Sequence, residues 1–163
     1  MENDIYIALG SNVGDRELNL LLAVAEIAKI PDSSVTALSS LYDTEPVGMG
    51  AVDNFLNAVL RLRSGLTPDA LLGELLRIEK EIFQRQRRNM VDSRRMDLDI
   101  LLYGAALVDR PPFLVIPHPR LHERRFVLEP LAEIAPDFMH PLFRQTVSTL
   151  LAELTDRSRV VKT

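Results

Sequence analysis

Residues 5–9 form an apolar run that ends at Gly10-Ser11-Asn12, which predicts a short buried strand closed by a turn. Asp15 is placed to cap a helix reaching to about Lys29, with Leu18, Leu21, Leu22, Ala25 and Ala28 at i, i+3, i+4 spacing as its core stripe, and Pro31 stops it. Residues 34–42 read as a second strand and residues 55–63 as a third, separated by the breaker-rich stretch 45–53. Thr67-Pro68 opens a second helix in the cap-then-proline order, and Leu71, Leu75, Ile78 and Ile82 mark its buried stripe. An arginine-rich loop then leads to a strand over residues 97–103, which Gly104 turns toward a short hairpin partner near Leu107. A proline-bounded segment, 111–119, precedes a third helix over about 125–135, and the amphipathic piece 146–154 predicts a fourth.

The order strand, helix, two strands, helix, strand predicts an α+β fold with a ferredoxin-like βαββαβ core, an antiparallel sheet with helices packed on one face and C-terminal additions beyond it. No linker, repeat or low-complexity stretch interrupts the pattern, so residues 1–163 are expected to form a single domain, with 155–163 as a frayed tail.

The strongest chemical feature lies on the fourth strand. Asp97 and Asp99 are two residues apart, so on a strand both carboxylates share a face while Leu98, Ile100 and Leu102 enter the core. On a helix the same pair would diverge by about 200°. Neighbouring carboxylates repel unless a cation sits between them. The pair fits a hard divalent ion, Mg²⁺ with phosphate oxygens being the common case, or a salt bridge to Arg94 or Arg95.

Charge adds weight to the metal and phosphate reading. The net charge is −4, yet 16 of the 19 basic residues are arginines. Residues 85–125 hold nine of them against five acids, a local excess of +4 in an otherwise acidic chain. Arg85, Arg87, Arg88, Arg94 and Arg95 immediately precede the carboxylate pair. Arginine grips phosphate bidentately. A carboxylate pair beside an arginine loop is therefore equipment for phosphoryl transfer, where catalysis is mostly positioning and charge neutralisation. The absence of cysteine excludes disulfides, thiolate metal sites and cysteine nucleophiles, and no GxxxxGK[ST] motif occurs. The turn Gly10-Ser11-Asn12-Val13-Gly14 can offer backbone amides to an anion, although such turns are usually only turns.

Three further positions stand out. Glu79 lies at the edge of the second helix's apolar face, as a boundary residue paired with an arginine or as a substrate contact. Asn57 occupies a strand, where asparagine is disfavoured, and shares a face with Phe55 and Val59; it suits a flat heterocycle with amide-like edges, or equally a backbone-capping role. His118 is held between Pro117 and Pro119 and is expected at the surface, where a lone histidine is more often structural than catalytic; Arg120, Arg124 and Arg125 follow as a second basic group.

Taken together, IYIALGSNVGD, SSLYDTEPVG with FLNAVL, RRMDLDILLYG and IPHPRLHERRFVLEPLAEIAP resemble, in order over nearly the whole chain, the 6-hydroxymethyl-7,8-dihydropterin pyrophosphokinase family of folate synthesis. The resemblance implies transfer of pyrophosphate from ATP to the pterin's hydroxymethyl oxygen, with two Mg²⁺ ions held by Asp97 and Asp99. It implies that the pterin lies between Phe55 and Phe126, with its edges read by Asn57 and by backbone around Thr44, Val47 and Gly48. Glu79, Arg94, Ile100, His118 and Arg124 match nucleotide-contacting positions, and Arg85 and Arg87 resemble the paired catalytic-loop arginines. The chain departs from the family pattern where QRQR replaces GRxR, where Asn89–Arg94 lacks a Trp-Gly-Pro, and where Leu76 stands in place of a glutamine.

The expected partners are ATP and a reduced pterin, with no nucleic acid and no membrane, and the expected state is a cytoplasmic monomer whose loops 45–53 and 84–95 act as lids. The competing classes are an RNA-binding module of the same fold, which the net charge of −4 and 6% aromatic content oppose, and a regulatory nucleotide sensor that would release no AMP.

Overall fold

β1 (Asn3–Ser11) runs through the middle of the sheet because it is apolar on both faces, with Ile5, Ile7 and Leu9 turned to one side and Tyr6 to the other. The computed structural model describes residues 3–45, 54–83 and 96–163. β2 (Ser33–Leu38), β3 (Tyr42–Thr44), β4 (Phe55–Ser64), β5 (Asp97–Tyr103) and β8 (Val160–Lys162) complete a six-stranded sheet in the order β5-β1-β4-β3-β8, with β2 also on β4. Every pairing is antiparallel. This is the strand order of the expected α+β, ferredoxin-like core, with the edge strand broken in two. The break has a local cause. Ser39 Oγ accepts the Val59 N–H at 2.9 Å, so a side chain replaces a rung of the ladder between β2 and β3.

α1 (Arg16–Ile27) and α2 (Pro68–Glu81) cover one face, closed over Ile5, Ile7, Leu9, Leu60, Leu62, Leu98 and Ile100. Their caps are the expected ones: Asp15 Oδ1 accepts from Leu18 N at 3.1 Å, and Thr67 Oγ1 from Ala70 N at 3.2 Å. The buried stripe of α1 is not the expected one. Leu20, Ala23 and Ile27 face the core, while Leu18, Leu21, Leu22, Ala25 and Ala28 are exposed. Asn19 fixes the rotation, because its Nδ2 donates to Ser11 Oγ and to the Val13 carbonyl in the turn before the helix.

The helices after β5 form the other layer, on the sheet face that α1 and α2 leave free. β6 (Val108–Arg110) and β7 (Leu114–Ile116) make a separate hairpin. A 3₁₀ turn, Leu121–Glu123, leads into α3 (Arg125–Ile134), and α4 (Val147–Ala152) packs beside it. These helices bury Tyr6, Val59, Leu101 and Leu102. Leu102 therefore leaves the side expected for it, because the β1–β5 register slips between Tyr6 and Ile7 and sets Leu101 and Leu102 in the same core. Gly10 and Ser11 are strand residues rather than a turn, pairing with Asn57 and Leu56. The tail expected to fray instead supplies β8, which pairs Val160, Val161 and Lys162 with Thr44, Asp43 and Tyr42. Among the described residues no helix is long and apolar enough to cross a membrane.

Candidate active site

Side-chain size divides the α3-facing surface of the sheet. Its inner half carries Tyr6, Val59 and Leu101, which α3 and α4 bury. At the other end the corresponding positions are Ala8 and Gly10 on β1, with Asn57 on β4 and Asp97 and Asp99 on β5. Small and polar residues give a helix nothing to pack on, and the surface opens there into a cleft of about 860 Å³. Register brings the walls together. Asp97 pairs with Gly10 and Asp99 with Ala8, while Gly10 pairs with Asn57 on its other side. Ala8 and Gly10 thus form a low floor between a carboxylate pair and an amide.

The amide side is rigid. Asn57 is buried, and its Nδ2 donates to Thr44 Oγ1 at 2.6 Å. This is its only side-chain hydrogen bond among the described residues, leaving a second amide hydrogen and the carbonyl oxygen for a ligand. Thr44 is placed by pairing with Phe55, and both line the cleft. The facing wall is the start of α3, where the Arg124 guanidinium lies 5.5 Å from the centroid of the Phe126 ring.

The carboxylate side meets basic groups from the segment before α3. His118 is docked on β5 by its N–H, which donates to the Leu101 carbonyl at 2.9 Å. Its Nδ1 accepts from Arg120 N at 3.2 Å, so the ring proton resides on Nε2. Burial, followed by the charge of Arg124, lowers the His118 pKa to about 4 against the opposing pull of Asp97. The ring is therefore neutral at neutral pH and acts as a hydrogen-bonding group rather than a cation. Burial, then repulsion from Arg120, also pulls Arg124 below its usual value, while Asp99 and Asp97 favour its charge. The carboxylates and Arg124 thus influence one another across the cleft.

Eight sequence-predicted site residues line one cleft: Thr44, Phe55, Asn57, Asp97, Asp99, His118, Arg124 and Phe126. Two do not. Glu79 is buried, with Oε2 accepting from Leu98 N at 2.8 Å, and Ile100 is in the α1–α2 core. Glu79 therefore braces the strand segment between the two aspartates. Val47, Gly48, Arg85, Arg87, Arg88 and Arg94 lie outside the described residues, as do 46–53 and 84–95 of the two expected lids. Sequence reasoning missed Ala8 and Glu45, gave Gly10 to a turn, and missed Asp156, all of which line the cleft. For Gly10 the available signal was a glycine at the end of a predicted strand, which marks close approach of a neighbour.

The donor set suits a hard cation. Two carboxylates project from alternate positions of one strand into the cleft, and among the described residues no group of three or more His, Cys, Asp or Glu side chains could hold a metal alone. That matches Mg²⁺, which takes one or two carboxylates and draws its other oxygens from water and substrate phosphates.

Similarity to known proteins runs over most of the chain. The family model described as 7,8-dihydro-6-hydroxymethylpterin-pyrophosphokinase matches residues 6–136. A 2-amino-4-hydroxy-6-hydroxymethyldihydropteridine pyrophosphokinase of Bacillus subtilis is 45% identical over 134 residues, covering 82% of this chain and 79% of that protein. The protein of the same name from Aquifex aeolicus is 35% identical over 151 residues, covering 93% of this chain and 92% of its own. Among solved structures, Plasmodium falciparum HPPK-DHPS with pteroate has a TM-score of 0.75 at 15% identity, covering 94% of this chain. This chain spans 42% of that longer one, and the likeness shows the fold.

Proposed function

The chain belongs to the 7,8-dihydro-6-hydroxymethylpterin-pyrophosphokinase family, and from that premise we propose the following reaction and division of roles. The enzyme transfers pyrophosphate from ATP to the hydroxymethyl oxygen of 6-hydroxymethyl-7,8-dihydropterin. The bond formed joins that oxygen to the β-phosphorus. The bond broken joins the β-phosphorus to the oxygen bridging to the α-phosphorus, and AMP leaves with that oxygen.

The observation that carries the reading is the pairing of an amide wall and a carboxylate wall across one shallow floor. Asn57 reads the edge of the pterin with the hydrogen-bonding groups Thr44 does not use, and Phe55 and Phe126 supply the faces on which the ring stacks. Backbone around Thr44, Val47 and Gly48 completes the pterin contacts. Asp97 and Asp99 would hold two Mg²⁺ ions, which would supply charge neutralisation at the triphosphate and a lowered pKa for the attacking hydroxyl. Asp97 assists the loss of the hydroxyl proton, with no separate general base assigned. His118 donates from Nε2 to the nucleotide, and Arg124 offsets negative charge on it. Arg94 belongs to the nucleotide side, Glu79 and Ile100 serve it only from the core beneath β5, Glu79 by bracing Leu98, and Arg85 and Arg87 neutralise the group in transfer.

The same reading makes the protein a single-domain monomer of the cytoplasm with no nucleic-acid partner. In its support, α3 and α4 bury the inner half of the sheet face on which an RNA-binding module stacks bases. The test is to incubate the protein with ATP, Mg²⁺ and the reduced hydroxymethylpterin and measure pterin-dependent AMP. AMP release that vanishes in Asp97→Asn is expected. A folded protein that releases none, or an Asp97→Asn variant with normal turnover at saturating Mg²⁺ and ATP, would refute it.

A further inference from the structure

The end of the chain connects two walls of the cleft that are far apart in sequence. α3 starts at Arg125, and its N-cap residue Arg124 gives the first turn no side-chain acceptor. The acceptor comes from 31 residues further on, where Asp156 Oδ2 takes the Arg125 N–H at 3.0 Å. The other oxygen, Oδ1, accepts from Ser158 N at 2.8 Å, and the Ser158 carbonyl accepts from Arg125 Nη1 at 3.0 Å. Arg159 then pairs with Glu45 twice: its carbonyl accepts from Glu45 N at 3.2 Å, and its N–H donates to Glu45 Oε1 at 2.6 Å. The next residue, Val160, enters β8 opposite Thr44. One short segment is thus bonded on one side to the turn bearing Arg124 and Phe126, and on the other to the strand end bearing Thr44.

We propose that residues 156–159 are a strap that positions the two walls of the pterin side of the cleft, with Asp156 capping α3 from a distance and Glu45 anchoring the strap to β3. The inference rests on the pyrophosphokinase reading above. Its physical basis is the orphan donors of a helix start. Without Asp156 the backbone N–H groups of the first turn of α3 lose the only side-chain acceptor they have among the described residues and the turn frays, and Phe126 lies in that turn. An ionised carboxylate also suits the positive end of the helix dipole. Burial acts to raise the Asp156 pKa, but the N–H bonds from Arg125 and Ser158 outweigh it and hold the group below its usual value. A stacking ring displaced by a fraction of an ångström binds its ligand less well while the fold persists.

The test uses full-length Asp156→Ala, Glu45→Ala and the double variant, with AMP release measured while pterin and ATP are varied in turn, alongside melting temperatures. Each single change is expected to raise the pterin KM about 5- to 10-fold, the scale of one lost cap, with kcat within about twofold. The double variant should be no more than about twofold worse than the poorer single, because one strap is being cut twice. Asp156→Asn, which keeps a side-chain oxygen for the Arg125 N–H, should recover most of the loss. Lower melting temperatures with an unchanged pterin KM would overturn the proposal, as would single effects that multiply in the double variant. Should Asp156→Ala fail to fold, a wild-type pterin KM in Glu45→Ala overturns it alone. A wild-type protein without pterin-dependent AMP release marks failure of the underlying reading instead.

Discussion

Replacing Gly10 with alanine adds one methyl group to the floor of the cleft. The new Cβ would stand 2.6 Å from Asn57 Oδ1 and 3.7 Å from both Asn57 Cγ and Phe55 Cδ1. Ordinary contact begins near 3.4 Å, so the amide oxygen must retreat by about 0.8 Å. It has little freedom to do so, because Asn57 is buried and its Nδ2 is held by Thr44 at 2.6 Å. Turning the amide away stretches that hydrogen bond, worth about 0.5–1.5 kcal/mol net, and takes the side chain off its rotamer at a similar cost. Together these place about 1–3 kcal/mol on the group proposed to read the pterin, or roughly a 5- to 150-fold rise in pterin KM. The backbone itself tolerates alanine, since Gly10 is not in the left-handed region. The strain is borne by the folded protein before any ligand arrives, so stability in a denaturant melt should also fall by about 1–3 kcal/mol, while the ATP KM should stay within about twofold. Initial rates of AMP release with pterin varied at saturating ATP, together with a melting curve, measure all three quantities. A Gly10→Ala enzyme whose pterin KM lies within twofold of wild type would show that Asn57 is not held where the substrate needs it.

Gly73 is the matched control: it is exposed within α2, with nothing within 4 Å of an added Cβ, so Gly73→Ala should stabilise the protein by about 0.5–1 kcal/mol in denaturant melts and leave both KM values alone. Glu79→Ala strips the Leu98 N–H of a buried acceptor and should cost about 1–3 kcal/mol of stability, while Glu79→Gln, which retains an oxygen there, should cost less; equal losses in the two variants would contradict the bracing role. His140 is buried, and its Nδ1 accepts from Leu142 N and Phe143 N. Burial, then the neighbouring His122, holds its pKa below the usual value. The stability it contributes is therefore complete above about pH 6.5 and is lost as pH falls through the lower folded value. His140→Asn, whose Oδ1 can take the same N–H groups, should flatten that part of the melting temperature–pH curve, and an unchanged slope would refute the assignment.

The parts of the site that could be read from sequence are those with a local period. Asp97 and Asp99 were legible because two residues is the repeat of a strand, and the strand is real. Asn57 was legible because a polar side chain interrupts the apolar first part of its strand, residues 55–60. α1 misled for the opposite reason. Its sequence, RELNLLLAVAEI, is so widely apolar that two helical stripes compete, and the choice depends on Asn19 reaching back to Ser11 and Val13. The role of Asp156 has no periodic signature at all. A cap supplied from 31 residues away follows from where α4 ends and how β8 meets β3, which are tertiary facts.

The same contrast explains why the site lies where it does. The fold does not carve a cleft out of a finished core; the hydrophobic effect stops short of making one there. Tyr6, Val59 and Leu101 offer α3 and α4 enough apolar surface to repay their ordering, whereas Ala8, Gly10, Asn57, Asp97 and Asp99, further along the same strands, do not. The low residues of β1 then separate what must be kept apart. On one side lies an uncharged amide with aromatic faces, and on the other a carboxylate pair opposite Arg124, with a histidine that burial keeps neutral. A flat, hydrogen-bonding ring and a polyanion with its cations place opposite demands on their surroundings. A sheet can meet both within a single cleft because adjacent strands set their residues side by side while each strand keeps its own chemistry.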